Sequence, residues 1–134
     1  MSDLNQRLEV FSKALALRTE RHQLLASNIA NADTPHYKAR DFDFAKAMEN
    51  AMGGRVNGLA MVRTSGRHLD GANGGTSFAN VQFRGVTQGA VDGNTVDMDV
   101  ERAAIAENSL QYEVLTRLVN DRLQGMRSAL APNQ

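Results

Sequence analysis

The chain has 134 residues, the size of one ordinary domain, and 15 basic and 15 acidic side chains give it a formal net charge of zero. The sequence contains no run of lysine or arginine that could follow a phosphate backbone, so nucleic-acid binding is disfavoured. It contains no cysteine, which excludes disulfides and thiolate metal ligands.

The first predicted element is a long amphipathic helix that ends near Ala30. Apolar side chains at Leu8, Phe11 and Leu15 recur at helical spacing, and the same phase resumes at Leu25 and Ile29. A second apolar row widens this face, so the helix needs partners. The second row consists of Val10, Ala14, Leu17 and Leu24.

A polar segment should end this helix before Pro35. Asn31 and Thr34 have side chains that compete with the backbone for hydrogen bonds. Pro35 has no amide donor and pushes Thr34 out of the α region. We therefore expect a loop directly after Ala30.

The segment 28–38 reads NIANADTPHYK. It resembles the NIANxxTPGYK signature of bacterial flagellar axial proteins of the rod and hook family. His36 stands where that family has glycine, so we expect either a different turn type or backbone strain there. The polar stop and the resemblance together imply a signature loop that fixes the helix exit and contacts an adjacent subunit. Its residues are Asn28, Asn31, Thr34, Pro35 and Tyr37.

The middle of the chain should be irregular. Residues 39–52 predict an extended segment followed by a short helix, with Phe42 and Phe44 forming an apolar patch. Ten of the 11 glycines lie between Met52 and Asn94. Runs 59–62 and 81–86 have strand-like content and 71–76 predicts a loop, so one or two small hairpins are expected.

A second motif, DGNTVDMDVE over residues 92–101, predicts a tight turn and a helix cap. A calcium-loop interpretation fails at the positions that require an oxygen ligand, a glycine and a glutamate. The motif is similar to a segment of a proximal rod protein of the same family. The turn and cap residues are Asp92, Gly93, Asn94 and Asp97.

A second long helix follows, from Val100 to about Leu130, and it too is apolar on more than one side. Its main row contains Ile105, Tyr112, Leu115, Val119, Leu123, Met126 and Leu130, and Ala103, Ala106, Leu110 and Val114 widen the face.

These elements predict a mainly α fold in which long N- and C-terminal helices pack antiparallel, like a coiled coil, around a small irregular insertion that contains β structure. The predicted division is 1–40, 41–97 and 98–134. Because each apolar face is wider than one antiparallel partner covers, we expect other subunits to cover the rest. The predicted subunit-packing residues are Leu8, Phe11, Leu15, Leu25, Ile29, Tyr112, Leu115, Val119 and Met126.

The resemblance implies a structural subunit of the flagellar proximal rod. Its partners would then be copies of itself, other proximal rod proteins, the FliE adaptor and the flagellar type III export gate. Export by that route fits an N-terminal sequence that lacks the features of a secretory signal. No cofactor, metal, small-molecule substrate or direct membrane insertion is expected.

Two other function classes are weighed against this one. A soluble helical export chaperone or adaptor would share the neutral charge and the helices. An enzyme is disfavoured because His22, His36 and His68 lack metal-ligand spacing, and alternating acids at Asp41 and Asp43 are common in loops.

Overall fold

A computed structural model describes residues 2–53, 78–85 and 91–130. Within these ranges the chain forms α1 (Ser2–Ala30), β1 (Arg40–Asp41), α2 (Phe44–Met52), β2 (Gln82–Phe83) and α3 (Met98–Leu130). The predicted mainly α fold with a small β element is confirmed. The runs 59–62 and 71–76, predicted as a strand and a loop, lie outside the described residues.

The two long helices run antiparallel. Side chains meet across them at Asn28 and Glu101, and again at Arg18 and Asn108. Moving towards the start of α1 therefore corresponds to moving towards the end of α3. None of the helices in the described ranges has a stretch long and apolar enough to cross a membrane.

The short helix α2 is capped at both ends. Asp43 Oδ1 accepts from the backbone N–H groups of Ala45 and Lys46 at 2.9 and 3.2 Å, as an N-cap carboxylate does. The Gly53 N–H donates to Glu49 O at 2.8 Å. These bonds satisfy end groups that α2 cannot satisfy internally.

A small apolar core joins α2 to α1. Alanines on α2 bring the two helices close together, while Phe44 and Met48 pack at the edge of the core. Phe42 is buried in it, so both predicted aromatics contribute. The buried members of this core are Leu17, Phe42, Ala47, Ala51 and Ala79.

Strand pairing differs from the expected hairpins of the middle segment. β1 and β2 pair antiparallel, with Arg40 opposite Phe83 and Asp41 opposite Gln82. The backbone N–H of Arg84 extends the pairing by donating to Ala39 O at 2.8 Å. The described strand near residue 82 thus pairs with the segment after the signature loop, because a charged cluster described below holds these two segments together.

Candidate functional site

The signature loop, taken as residues 28–39 with the last turn of α1, meets the turn of residues 91–97 at the exit of that helix. We call this contact region the junction. It is built around buried amides whose hydrogen bonds connect segments far apart in the sequence.

Asn28 is the innermost residue of the junction and is fully buried. Its Oδ1 accepts from the backbone N–H of Arg40 at 3.0 Å, and its Nδ2 donates to the Arg40 carbonyl at 2.8 Å. The same Nδ2 donates to Glu101 Oε2 at 3.2 Å, and Tyr37 Oη donates to Oδ1 at 3.3 Å. Because a buried amide is costly when unsatisfied, this position requires asparagine.

The loop itself is closed by short-range bonds. Asn31 Nδ2 donates to Ser27 O at 2.8 Å, and Thr34 Oγ1 donates to Asn31 Oδ1 at 3.2 Å. The Tyr37 N–H donates to Thr34 O at 3.3 Å. Pro35 lies exposed between these bonded residues. The polar side chains thus hold the chain in the turn that follows α1.

Asn94 links the two sequence motifs directly. It is almost fully buried, and its Nδ2 donates to the carbonyl oxygens of Asn31, Ala32 and Thr34 at 3.0, 2.8 and 2.8 Å. Its Oδ1 accepts from the Val96 N–H at 2.7 Å. A side chain from the second motif therefore binds three backbone carbonyls of the loop that follows α1, and it fixes the path of that loop.

His36 adopts the left-handed conformation that glycine favours, with φ at 61°. From the sequence we expected either a different turn type or backbone strain at this position. The structure keeps the backbone conformation that glycine would adopt, with histidine in its place. The His36 N–H donates to Asp92 O at 3.1 Å. Gly93 lies against the ring, with φ at 75°, and a Cβ there would come within 2.9 Å of His36 Nδ1.

The rest of the second motif forms a turn and starts α3. Asp92 Oδ1 accepts from the Asn94 N–H at 3.0 Å. Asp97 Oδ1 accepts from the N–H groups of Asp99 and Val100 at 3.0 and 3.3 Å, in the manner of an N-cap. α3 begins at Met98, two residues before its expected start.

A cluster of four charged side chains, Arg21, Asp41, Arg84 and Glu101, lies beneath the junction. Arg21 binds Asp41 with two bonds of 3.0 Å, and Arg84 Nη2 donates to Asp41 Oδ2 at 2.9 Å. Arg84 Nη1 also pairs with the fully buried Glu101. Two cations and two anions compensate each other, as buried charges must.

Contacts within the cluster shift the pKa values of Asp41 and Arg21. Burial alone would raise the Asp41 pKa, but the bonds from Arg21 and Arg84 and from the Phe42 N–H outweigh it and lower that pKa. The bond to Asp41 raises the pKa of Arg21 against the opposing effect of burial. Asp41 is therefore a structural carboxylate held ionised by its partners.

The sequence indicated Asp41 only as a member of an acid pair and indicated no role for Arg21, Arg84 or Glu101. The acidic second motif offered a signal for Glu101, but nothing near Arg84 pointed to its partners. In the described part of the chain, no three His, Cys, Asp or Glu side chains are placed to hold a metal ion. His68 lies outside that part.

The predicted subunit-packing residues divide into two groups. Leu25 is fully buried inside the chain, as is Asn28 of the signature loop. This corrects the expectation that they contact another subunit, because in this fold intrachain contacts already cover them. The other packing residues keep part of their surface exposed: Leu8, Phe11, Leu15, Ile29, Tyr112, Leu115, Val119 and Met126.

The larger apolar surface lies elsewhere on α3. Leu110, Val114 and Leu118 are 63%, 50% and 42% exposed. Their spacing of four residues puts them on one helical face, which we call the outer stripe. At about 100° per residue, Leu110 lies on the opposite side of α3 from the buried Glu101. The outer stripe therefore faces away from α1.

Comparison with known proteins gives consistent relatives. The chain is 43% identical over 122 residues to the flagellar basal body rod protein FlgB of Proteus mirabilis, covering 88% of each chain. It is 41% identical to the protein of that name from Salmonella typhimurium, covering 95% of this chain and 94% of the relative. It is 42% identical to the protein of that name from Cereibacter sphaeroides, covering 97% of this chain and 98% of the relative. No protein-family model matches the chain.

Proposed function

Since the chain belongs to the family of flagellar basal body rod protein FlgB, it is a structural subunit of the bacterial flagellar rod, and we propose that it assembles through the outer stripe and the exposed side of the signature loop. The relatives give no support to the alternative of a soluble export chaperone. We further propose a structural role without catalysis.

The outer stripe is the observation that supports this mode of assembly. Three large aliphatic side chains in a row on one helix face expose apolar surface that a single subunit leaves in water. Burying such surface against a neighbour stabilises an assembly at about 25 cal/mol per Å². The zero net charge of the chain adds little repulsion between copies.

The junction would set the geometry of that assembly. Thr34 and Pro35 are exposed, and the Thr34 carbonyl accepts from both Asn94 Nδ2 and the Tyr37 N–H, so the loop presents a fixed surface to an adjacent subunit. We propose that residues 1–40 and 98–134 form the axial core and that 41–97 is an insertion on it.

The same proposal names partners and a location. The partners are copies of the chain, other proximal rod proteins, the FliE adaptor and the type III export gate. The location is the part of the rod that spans the periplasm. Export without a cleaved signal peptide is part of it.

The test is Val114→Asp in a motile strain that lacks the wild-type chain. A charge in the outer stripe should prevent incorporation into isolated basal bodies and abolish swimming, because it cannot be buried without a partner. Asn120→Asp is the matched control, since it adds a carboxylate at an exposed position of the same helix. Hydrogen exchange on both purified subunits should show equal protection of α1 and α3.

Incorporation of the Val114 variant at wild-type level would overturn the proposed interface. Absence of the wild-type chain itself from basal bodies would instead contradict the location.

A further inference from the structure

Arg18 is a buried cation that forms no direct ion pair in the described part of the chain, although Glu107 attracts it from a greater distance. Only 9% of its surface is exposed, and its Nε has no hydrogen-bond partner there. The one hydrogen bond that the guanidinium makes to the described residues, from Nη1 to Asn108 Oδ1, is 3.5 Å long and therefore weak. The contrast with Arg21 and Arg84 is direct, because each of those binds a carboxylate.

The guanidinium is nevertheless held in place. Its central carbon lies 3.6 Å from the centroid of the Phe44 ring, which fixes the plane of the group by a cation–π contact. Asn108 Nδ2 donates to the Arg18 carbonyl at 2.9 Å and tethers the same turn of α1 to α3. A planar, oriented guanidinium is suited to bind a carboxylate through two parallel bonds.

Arg18 lines an open cleft of about 310 Å³ between α1 and α3. The cleft is mostly apolar, and the side chains of His22, Ser109 and Tyr112 at its margin offer further hydrogen-bond donors. A carboxylate carried on an aliphatic stem matches both properties, since the stem can pack on apolar surface while the head reaches the cation.

We propose that this cleft receives an Asp or Glu side chain of a second copy of the chain, with Arg18 as its ion-pair partner. The inference rests on the proposed function, which places copies side by side. Charge complementarity supports a second copy as the source, because the chain is neutral overall and carries exposed acids such as Asp33 and Asp121. Burial, followed by repulsion from Arg21, lowers the pKa of Arg18 against the attraction of Glu107, and an incoming carboxylate would add to that attraction.

The first experiment places the photoreactive residue p-benzoyl-phenylalanine at Ser109 of the full chain in motile cells. After irradiation, basal bodies should contain a covalent dimer of the chain, with the cross-link mapped to a segment that carries an acid. Arg18→Lys should lower the dimer yield about fivefold or more, because lysine keeps the charge and loses the planar fork. Arg102→Lys, the same exchange at an exposed position of α3, should leave the yield unchanged.

The second experiment adds acetate to the wild-type monomer while nuclear magnetic resonance follows the arginine Nε–H signals. A saturable shift of the Arg18 signal is expected, and its absence would overturn the carboxylate site whether or not Arg18→Lys folds. Cross-links only within one chain, or only to other proteins, would overturn the assignment to a second copy. Absence of the chain from basal bodies would contradict the proposed function and leave the acetate result to decide the site.

Discussion

Asn28 and Glu101 lie 73 residues apart in the sequence and meet inside the folded chain, where Asn28 Nδ2 donates to Glu101 Oε2. Both side chains are fully buried. Asn28 also bonds both backbone groups of Arg40, and Glu101 pairs with Arg84. One buried contact thus connects the end of α1, the signature loop and the start of α3.

Glu101→Gln should lower the free energy of unfolding by about 3 kcal/mol, because it removes a fully buried carboxylate from its ion pair with the partly buried Arg84. Urea unfolding followed by circular dichroism measures the change. Glu49→Gln makes the same substitution at an exposed position of α2 and should stay within about 0.5 kcal/mol. Equal urea midpoints for the two variants would contradict a structural role for the charged cluster.

The Asp41 carboxylate predicts a defined loss of stability in acid. Its pKa in the folded chain lies below the 3.8 of an ordinary aspartate, so the folded state binds fewer protons there than the unfolded state does. Its contribution is therefore complete above about pH 4 and is lost as the pH falls through the lowered pKa.

Asp41→Asn should flatten the slope of unfolding free energy against pH in this acidic range, besides lowering stability at neutral pH. Asp43→Asn is the control, since asparagine also caps a helix and the residue is exposed. Measurements of urea midpoints between pH 5 and pH 2 would disprove the assignment if the Asp41 variant kept the wild-type slope.

The contact between His36 and Gly93 predicts a coupling between two substitutions. His36→Gly should stabilise the chain by about 1 kcal/mol, because glycine adopts positive φ without strain. Gly93→Ala should destabilise it through both the positive φ and the approach of 2.9 Å to the His36 ring. In the His36→Gly background the alanine should cost less, since only the backbone strain remains.

A thermal-unfolding comparison of wild type, both single variants and the double variant measures this coupling. Strict additivity would show that the ring does not restrict residue 93.

Asn31→Ala and Tyr37→Ala should each abolish rod assembly and motility. Asn31 bonds Ser27 and Thr34, while the Tyr37 hydroxyl bonds Asn28, so either change loosens the exit of α1. Swimming assays and the protein content of basal bodies measure the effect, with Asp33→Ala as a control at an exposed position of the same loop. Normal swimming with both residues changed would refute the role of the signature loop.

Much of the fold could be predicted from local pattern. The apolar period located α1 and α3, the segment 39–52 contained the short helix expected there, and Pro35 followed the end of α1 as expected. These features depend on residues near each other in the chain, for which spacing and backbone chemistry are sufficient.

The charged cluster could not be predicted in the same way. Arg21, Asp41, Arg84 and Glu101 belong to four separate segments, and each looks like an ordinary surface charge in its own neighbourhood. Only the antiparallel pairing of α1 and α3, with β2 laid beside β1, brings them together. The burial of Leu25 could not be predicted for a related reason. Periodicity identifies the apolar face of a helix, but it does not show which part of that face is covered by the rest of the same chain.

The three bonds from Asn94 to the loop after α1 have a consequence for the order in which the chain folds. The carbonyls it binds lie 60 to 63 residues earlier in the sequence. During synthesis from the N-terminus, those loop oxygens face water until residue 94 has been added. The loop acquires its final shape only then, well after the sequence of α1 is complete.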